Sequence, residues 1–411
     1  MSAVTIDLTD VDAFVAQRHH EMFAWLRDND PVYWNRTSDN DGFWALTRHE
    51  DVSAAYLNDS VFSSAGGPML GTSFLSGESD TAANQMLVAS DPPRHRMLRQ
   101  LMHKVFGPGF VRCVLIQVDK LVNAAMDRAL ADGGCDFAAD IAPELPAGAL
   151  MAMVGVSYEQ AHELINMTRR MIGFRDPGWV DTSDDERLRL AVIQAEIFEF
   201  FSSLLRQRRR NPGDDMVSVL AHAEVNGRRL PEDDILYNCM NVAVGGNETS
   251  SYTAVAGVLA LIENPDQYRL LQNDLGLMDS AINEILRWGT TNAYVLRVPT
   301  QDIKIKGRHI RAGEPVTLWN ASANRDAAQF IEPDRFLVRR SPNRHITYGV
   351  GIHRCIGSVV AQVELPILFR RLAAQRVIFH VTSEVTRLRS NFIQGITGLP
   401  VQMKLDAGRG P

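Results

Sequence analysis

The chain has 411 residues, 45% of them hydrophobic and 22% charged, which is typical of a globular protein with a large core. Its net charge of -7 argues against a general nucleic-acid binder, because such domains are normally basic. The first residues lack the cationic start of a signal peptide, and no apolar run approaches the roughly 18 residues that span a membrane. We therefore expect a cytoplasmic protein that binds neither nucleic acid nor membrane.

Apolar residues at helical spacing predict long helices along most of the chain. In chain order these helices are expected at residues 11–27, 94–106, 109–131, 159–172, 184–209, 231–262 and 280–288. The 231–262 helix has the clearest start, because Pro231 is followed by three acidic residues that favour the positive end of the helix dipole. At ~1.5 Å per residue it is long enough to cross a whole domain.

Alternating apolar and polar residues predict a few short strands. They are expected at 31–36 and 42–47, at 303–310, and at 376–381 and 399–404. We predict a single domain over residues 1–411, mainly α, with a small β-rich region drawn from about 31–47, 294–318 and 376–405. Two irregular stretches, 60–90 and 175–186, are longer than ordinary connections and are interpreted as walls over a pocket.

One of the four cysteines, Cys355, stands among glycines in the stretch YGVGIHRCIG, residues 348–357. None of the cysteines belongs to a C-x-x-C pair, so a cysteine-rich zinc site is not expected. A predicted helix follows Cys355 at once, and helix N-termini stabilise thiolates. Three interpretations remain open from this loop alone: a metal ligand, a nucleophile with His353 as its base, and a buried thiol.

The stretch from 348 to 364 resembles the haem-binding loop of the cytochrome P450 family, F-G-x-G-x-H-x-C-x-G followed by A-x-x-E. The matching residues are Gly349, Gly351, His353, Cys355, Gly357, Ala361 and Glu364. Tyr348 stands where phenylalanine is usual, and its hydroxyl changes the electrostatics near the sulfur. The resemblance implies the P450 fold, haem b as cofactor with Cys355 as its thiolate ligand, and cofactor contacts from Tyr348, Gly349 and Gly351.

Two further segments resemble the family's motifs in the family's order. EILR supplies Glu284 and Arg287, the E-x-x-R pair, which share one helical face. NRDAAQFIEPDRF resembles the N-R-D-P-x-x-F-x-x-P-x-x-F segment, with Ala327 replacing proline. The resemblance implies that Arg335 joins the Glu284–Arg287 pair in a structural network.

The long predicted helix contains VAVGGNETSSY, which matches the family pattern A/G-G-x-D/E-T at Gly245, Gly246, Glu248 and Thr249. Each glycine inside a helix costs about 1 kcal/mol relative to alanine. A kinked helix with a solvated face is one interpretation. The resemblance favours another, a local opening above haem that admits dioxygen, with Thr249 and Glu248 relaying protons.

Haem carries two propionates, which need cationic partners. DPPRHRMLRQ places His95 and Arg99 on one helical face, and the segment matches the family pattern D-P-P-x-H-x-x-x-R. A basic surface stripe is the simpler interpretation of these charges. The resemblance implies instead that His95, Arg99, Arg297 and His353 contact the propionates, a task that suits the planar fork of arginine.

The resemblance implies a monooxygenase that inserts one oxygen atom of dioxygen into a small-molecule substrate, by hydroxylation or epoxidation. The expected electron donor is a ferredoxin or flavodoxin with its reductase. The predicted pocket walls mix apolar groups with neutral amides and hydroxyls such as Thr291, Asn292 and Gln394, which favours a mid-sized, partly polar substrate. A bacterial natural product, free or bound to a carrier protein, is the leading expectation. Steroids, terpenes and xenobiotics remain alternatives, as do a non-catalytic recruitment module and a haem sensor.

Overall fold

Helices make up about half of the computed structural model, which describes residues 6–37, 41–70, 82–225 and 227–406. The longer α-helices are His19–Asn29, His49–Leu57, Arg94–His103, Pro108–Ala131, Glu144–Val154, Tyr158–Ile172, Glu186–Arg210, Glu232–Glu263, Pro265–Asn273, Met278–Gly289 and Ser358–Ala374. Short α-helices lie at Val11–Val15, Phe137–Asp140, Met216–Ala221 and Asn320–Ala323, and single 3₁₀ turns at Leu87–Ala89, Leu275–Leu277 and Gly351–His353.

The strands form small sheets at the edge of the helical body. The largest sheet has five strands in the spatial order Val32–Arg36, Gly42–Leu46, Val316–Leu318, Val295–Pro299 and Phe62–Ser63. Its second and third strands are parallel, and the other neighbours are antiparallel. A three-stranded sheet has the order Val377–Val381, Pro400–Leu405 and Gly134–Asp136. Among the described residues there are also three two-stranded sheets, which pair Glu224–Val225 with Arg228–Arg229, Ile303–Ile305 with Arg308–Ile310, and Thr386–Arg387 with Ile396–Gly398.

The first predicted helix, 11–27, is interrupted in the structure. It divides into Val11–Val15 and His19–Asn29, and Gln17 between them has a left-handed backbone with φ of 59°. The interruption lets Phe14 and Phe23 both contact Trp319, at ring-centroid distances of 5.8 and 5.0 Å. Hydrophobic spacing continues across the break, so the sequence pattern alone did not indicate it.

The helix Glu232–Glu263, called the central helix below, joins the two main hydrophobic cores. Residues 235–243 pack in one core, together with the helices Tyr158–Ile172 and Glu186–Arg210. Residues 254–261 pack in the other, together with the helices Met278–Gly289 and Ser358–Ala374. Its predicted extent, 231–262, agrees with the structure to within one residue at each end.

One stretch of the described chain, Phe137–Val154, is long and apolar enough to cross a membrane by length and composition. In the structure 78% of this stretch is buried inside the protein. Such burial is typical of a helix in the core of a globular protein.

A buried ion cluster forms around Glu284, but its third member differs from the predicted one. Arg287 Nε donates to Glu284 Oε2 at 2.8 Å, and both side chains are fully buried. Arg340 Nε completes the cluster at 2.9 Å from the same oxygen. The prediction that Arg335 is the third member is wrong. Its exposed side chain forms an ion pair with Glu332, and only its backbone carbonyl accepts hydrogen bonds from Arg287 and Arg340.

A second buried contact ties the central helix to the helix that follows Cys355. The Ser250 hydroxyl donates to Glu364 Oε1, and both side chains are buried. The other carboxyl oxygen of Glu364 is buried and has no hydrogen-bond partner in the described part of the chain. Burial raises the pKa of Glu364 to about 7, an effect that the Ser250 hydrogen bond opposes.

Replacing Arg340 with alanine leaves the buried Glu284 carboxylate one cation short. We expect a loss of about 3–5 kcal/mol in the free energy of unfolding, measured by urea denaturation of the protein as purified. Arg335→Ala removes an exposed pair and should stay close to wild type. Equal losses in the two variants would contradict the assignment of Arg340.

The raised pKa of Glu364 makes stability depend on pH. Between the ordinary value of 4.5 and about 7, the folded protein binds the carboxyl proton more strongly than the unfolded chain does. Stability therefore falls as pH rises through this range, by at most about 3 kcal/mol, since each pKa unit corresponds to ~1.4 kcal/mol.

Glu364→Gln keeps the hydrogen-bond acceptor and removes the titrating group. The variant should gain stability relative to wild type as pH is raised from 5 to 8 in urea denaturation experiments. Glu163→Gln, on an exposed position of the helix Tyr158–Ile172, is the control. If the free energies of unfolding of Glu364→Gln and wild type differed by the same amount at pH 5 and pH 8, the raised pKa of Glu364 would be refuted.

Candidate functional site

The loop around Cys355 is held against the helix His49–Leu57 by its glycines. Gly349 and Gly351 have φ of 64° and 77°, a backbone region that favours glycine. A Cβ at Gly351 would lie 2.9 Å from the carbonyl oxygen of Tyr56, and one at Gly349 3.3 Å from the Tyr56 ring. The backbone N–H of Cys355 donates to the carbonyl of Tyr348 at 2.8 Å, which closes the loop just before the helix Ser358–Ala374.

Opposing influences act on the sulfur of Cys355. The side chain is exposed to solvent, yet enough protein surrounds it that desolvation raises the pKa of the thiol. Backbone N–H groups of Gly357 and Ser358, and then the charges of Arg99 and Arg354, lower the pKa. The arrangement can stabilise a thiolate, but a further cation at the sulfur is needed to overcome the desolvation.

Four basic side chains gather beside this loop: His95, Arg99, Arg297 and His353. The rings of His95 and His353 lie 4.1 Å apart. Desolvation and the neighbouring positive charges lower the pKa of His95 to about 4 and that of His353 to about 2, so both rings are neutral at pH 7. Both ring nitrogens of His95 and Nε2 of His353 are buried and have no hydrogen-bond partner among the described residues.

The arginines of this group also lack anionic partners. Arg297 is 4% exposed, and its Nη1 donates to the carbonyl of Leu296 at 2.7 Å. Within the ranges that the structure describes, neither Arg297 nor Arg99 has a carboxylate at ion-pair distance. A buried guanidinium without a counter-charge is costly, so the group fits a ligand that carries carboxylates.

The central helix is continuous through its two glycines. Gly245 and Gly246 are exposed although the helix is buried on both sides of them, and a Cβ at either position would meet no described atom within 4 Å. The glycines therefore provide free space rather than a close backbone contact. Thr249 stands one turn further on, and its hydroxyl donates to the carbonyl of Gly245 at 2.6 Å.

Glu248 is adjacent to Thr249 in sequence but points into the protein. It is fully buried and forms an ion pair of 3.3 Å with Arg169, on the helix Tyr158–Ile172. Desolvation raises the pKa of Glu248 to about 7, and Arg169 opposes this shift. The carboxyl group can therefore hold or release a proton near neutral pH, but it forms no hydrogen bond with Thr249 in the described structure.

The predicted pocket walls are only partly in the expected positions. Gln394 is directed to His19, with 3.1 Å between the two Nε2 atoms, and Thr291 bonds Thr253 at 2.9 Å in the interior. Residues 71–81, which include Phe74, lie outside the described residues. Sequence reasoning missed Arg169 and Tyr56, because each acts through a contact far along the chain that no local motif indicates.

Comparisons of the sequence point to one family. A family model for cytochrome P450 matches residues 15–380. Cytochrome P450 NovI of Streptomyces niveus is 32% identical over 400 residues, covering 97% of this chain and 96% of that protein. Linalool 8-monooxygenase of Pseudomonas putida is 31% identical over 401 residues, covering 96% and 98%.

Comparison with solved structures indicates the same family. P450 OxyD, involved in the biosynthesis of vancomycin-type antibiotics, superposes with a TM-score of 0.85 and 33% identity, covering 98% of this chain and all of that one. P450BioI, solved in complex with a fatty-acid-ligated acyl carrier protein, superposes with a TM-score of 0.83 and 25% identity, covering 96% and 100%. The predicted fold is confirmed, and the chain belongs to the cytochrome P450 family of haem-thiolate monooxygenases.

Proposed function

We propose that Cys355 is the residue through which this monooxygenase binds the iron of haem b. The observation that carries the proposal is the position of the sulfur, which has N–H donors and two arginines beside it but needs a cation to stay ionised. Ferric or ferrous iron supplies that charge, and a thiol that coordinates a metal is deprotonated. Tyr348, Gly349 and Gly351 belong to the same loop and are proposed as further cofactor contacts.

The propionates of haem b are proposed to contact His95, Arg99, Arg297 and His353. The support is the unsatisfied state of this group: three buried ring nitrogens without partners and arginines without carboxylates among the described residues. Two carboxylates would fill both needs at once. The two neutral imidazoles then donate N–H groups, and the arginines provide the charge.

Haem, when bound, supplies the activation of dioxygen, and the protein's own residues position substrate and deliver protons. We propose that the free space at Gly245 and Gly246 leaves room for dioxygen, and that the Thr249 hydroxyl donates a hydrogen bond there. To do so, it must exchange its present bond to the carbonyl of Gly245. Glu248 is proposed as the proton store, because its pKa of about 7 lets it both take up and release protons near neutral pH.

The proposed substrate is a mid-sized, partly polar bacterial natural product. The similarity to P450 OxyD supports this class, and the complex of P450BioI with an acyl carrier protein supports a carrier-bound form. The similarity to linalool 8-monooxygenase favours a second candidate, a terpene. A recruitment module or sensor without turnover is disfavoured, because Cys355, Glu248 and Thr249 are all retained.

A ferredoxin or flavodoxin with its reductase is the proposed electron donor, and we place the reaction in the cytoplasm, where such carriers are reduced. These carriers are typically acidic. Exposed basic residues near the Cys355 loop, Arg96, Lys104, Arg344 and Arg354, offer them a complementary surface. Raising the ionic strength should slow reduction of the haem, and a rate independent of salt would remove the support for this surface.

The proposed function is tested by turnover with labelled dioxygen. Natural products and terpenes are first screened for a change in the spin state of the haem, which reports displacement of iron-bound water. Compounds that bind are then incubated with the donor system under ¹⁸O₂, and products are analysed by mass spectrometry. Incorporation of one labelled atom supports the proposal, whereas binding without any oxidised product would favour the sensor.

Thr249→Ala should separate electron consumption from product formation. Without the hydroxyl, we expect about tenfold less product per electron pair, equivalent to ~1.4 kcal/mol of lost selectivity, and a matching rise in hydrogen peroxide. Thr249→Ser keeps the hydroxyl and serves as the control. Wild-type coupling in the alanine variant would show that Thr249 has no part in proton delivery.

A further inference from the structure

A cavity lies near the C-terminal end of the central helix, apart from the Cys355 loop. Its volume is about 310 Å³, at the lower end of the ~300–1,000 Å³ typical of small-molecule pockets. The N-terminal helices, the end of the central helix and the hairpin of Thr386–Arg387 with Ile396–Gly398 surround it. Its first central-helix residue, Ala256, lies about two turns (~10 Å) beyond Thr249, and none of the proposed haem contacts lines it.

The walls of this cavity, called the arginine cavity below, are positively charged. Arg325 and Arg387 both line it, and the exposed residue Glu263 supplies one opposing carboxylate to the lining. Desolvation, reinforced by the charge of Arg287, lowers the pKa of Arg325 to about 10. Desolvation and the charge of Arg325 also hold the pKa of His20 well below its usual value, so its ring adds no charge.

The cavity arginines are short of partners. In the part of the chain that the structure describes, the Arg387 guanidinium has no hydrogen bond and no ion pair; Glu263 acts on it only at longer range. Among the described residues, Arg325 forms an ion pair with one carboxylate, that of Asp334 at 3.3 Å, whose side chain is 72% exposed. Nδ1 of His20 is buried and has no hydrogen-bond partner within the same ranges. Partly buried cations left in this state are costly, and an anion between them would offset the cost.

The remaining walls are mixed: one part is apolar and aromatic, and the polar part includes Gln17, Ser390 and Gln394. The guanidinium of Arg325 lies 4.0 Å from the ring centroid of Trp288, and Phe14 and Leu259 also face the cavity. A ligand that fits both parts of the wall has a carboxylate for the arginines and an apolar body for these side chains. Inorganic anions would satisfy only the first requirement.

We propose that the arginine cavity is a second binding site, specific for a small organic carboxylate. Arg325 and Arg387 bind the carboxylate, and Trp288 contacts the body of the ligand. Gln394, predicted from the sequence to belong to the substrate pocket, lines this cavity instead, and none of the proposed haem contacts does. The ligand of this site is therefore not the molecule that is oxidised.

Benzoate is a suitable probe, because it joins a carboxylate to an aromatic ring. Its binding is measured by isothermal titration calorimetry on haem-loaded protein at constant ionic strength, with saturating imidazole to occupy the distal side of the haem. Wild-type protein should bind one benzoate. Benzamide has the same shape without the charge and should bind at least about tenfold more weakly.

Arg387→Gln should weaken benzoate binding about tenfold or more, because it removes a cation that has no hydrogen-bond or ion-pair partner among the described residues. Arg335→Gln removes an exposed arginine outside the cavity and should leave the affinity unchanged. Absence of benzoate binding to wild type, equal binding of benzamide, or wild-type affinity in Arg387→Gln would each overturn the proposal. The comparison of benzoate with benzamide needs no variant, so it tests whether the site recognises a carboxylate even if Arg387→Gln folds poorly.

Discussion

The charge balance at the sulfur of Cys355 is the constraint on which the site depends. Desolvation by the surrounding protein raises the pKa of the thiol. The N–H groups of Gly357 and Ser358 and the guanidiniums of Arg99 and Arg354 lower the pKa, but by less. Iron in a porphyrin, bound as proposed, would shift that balance, since coordination deprotonates a thiol. The glycines of the loop and its contact with Tyr56 fix where the sulfur lies, so the local fold and the charge balance serve the same purpose.

Several features near this site lower the stability of the fold. The central helix has two exposed glycines at its middle, and two carboxyl groups, Glu248 and Glu364, are buried with raised pKa values. Two uncharged histidines lack hydrogen bonds among the described residues. Local rules of sequence and structure are often broken at functional sites and compensated elsewhere. Here the two hydrophobic cores on either side of the glycines and the buried cluster around Glu284 offer that compensation.

Sequence reasoning predicted the features that depend on local spacing. The central helix, the hairpins at 32–46 and 303–310, the late strands at 377–381 and 400–405, and the mainly helical class follow from periodicity and turn signals. The cytochrome P450 fold followed from the resemblance of the motifs. Features that depend on distant contacts were missed. Arg340 rather than Arg335 completes the Glu284 cluster, because the chain between the two positions turns and only the later side chain faces inward. Likewise, Gln394 is directed to His19, a residue close to the other end of the chain.

The most direct test of the central claim is the carbon monoxide difference spectrum of the reduced protein, recorded for wild type and for Cys355→His. Thiolate ligation predicts a strongly red-shifted Soret band in wild type and its loss in the variant, where an imidazole would replace the sulfur. A red-shifted band that persists in Cys355→His would contradict the account, because the iron would then have another thiolate ligand.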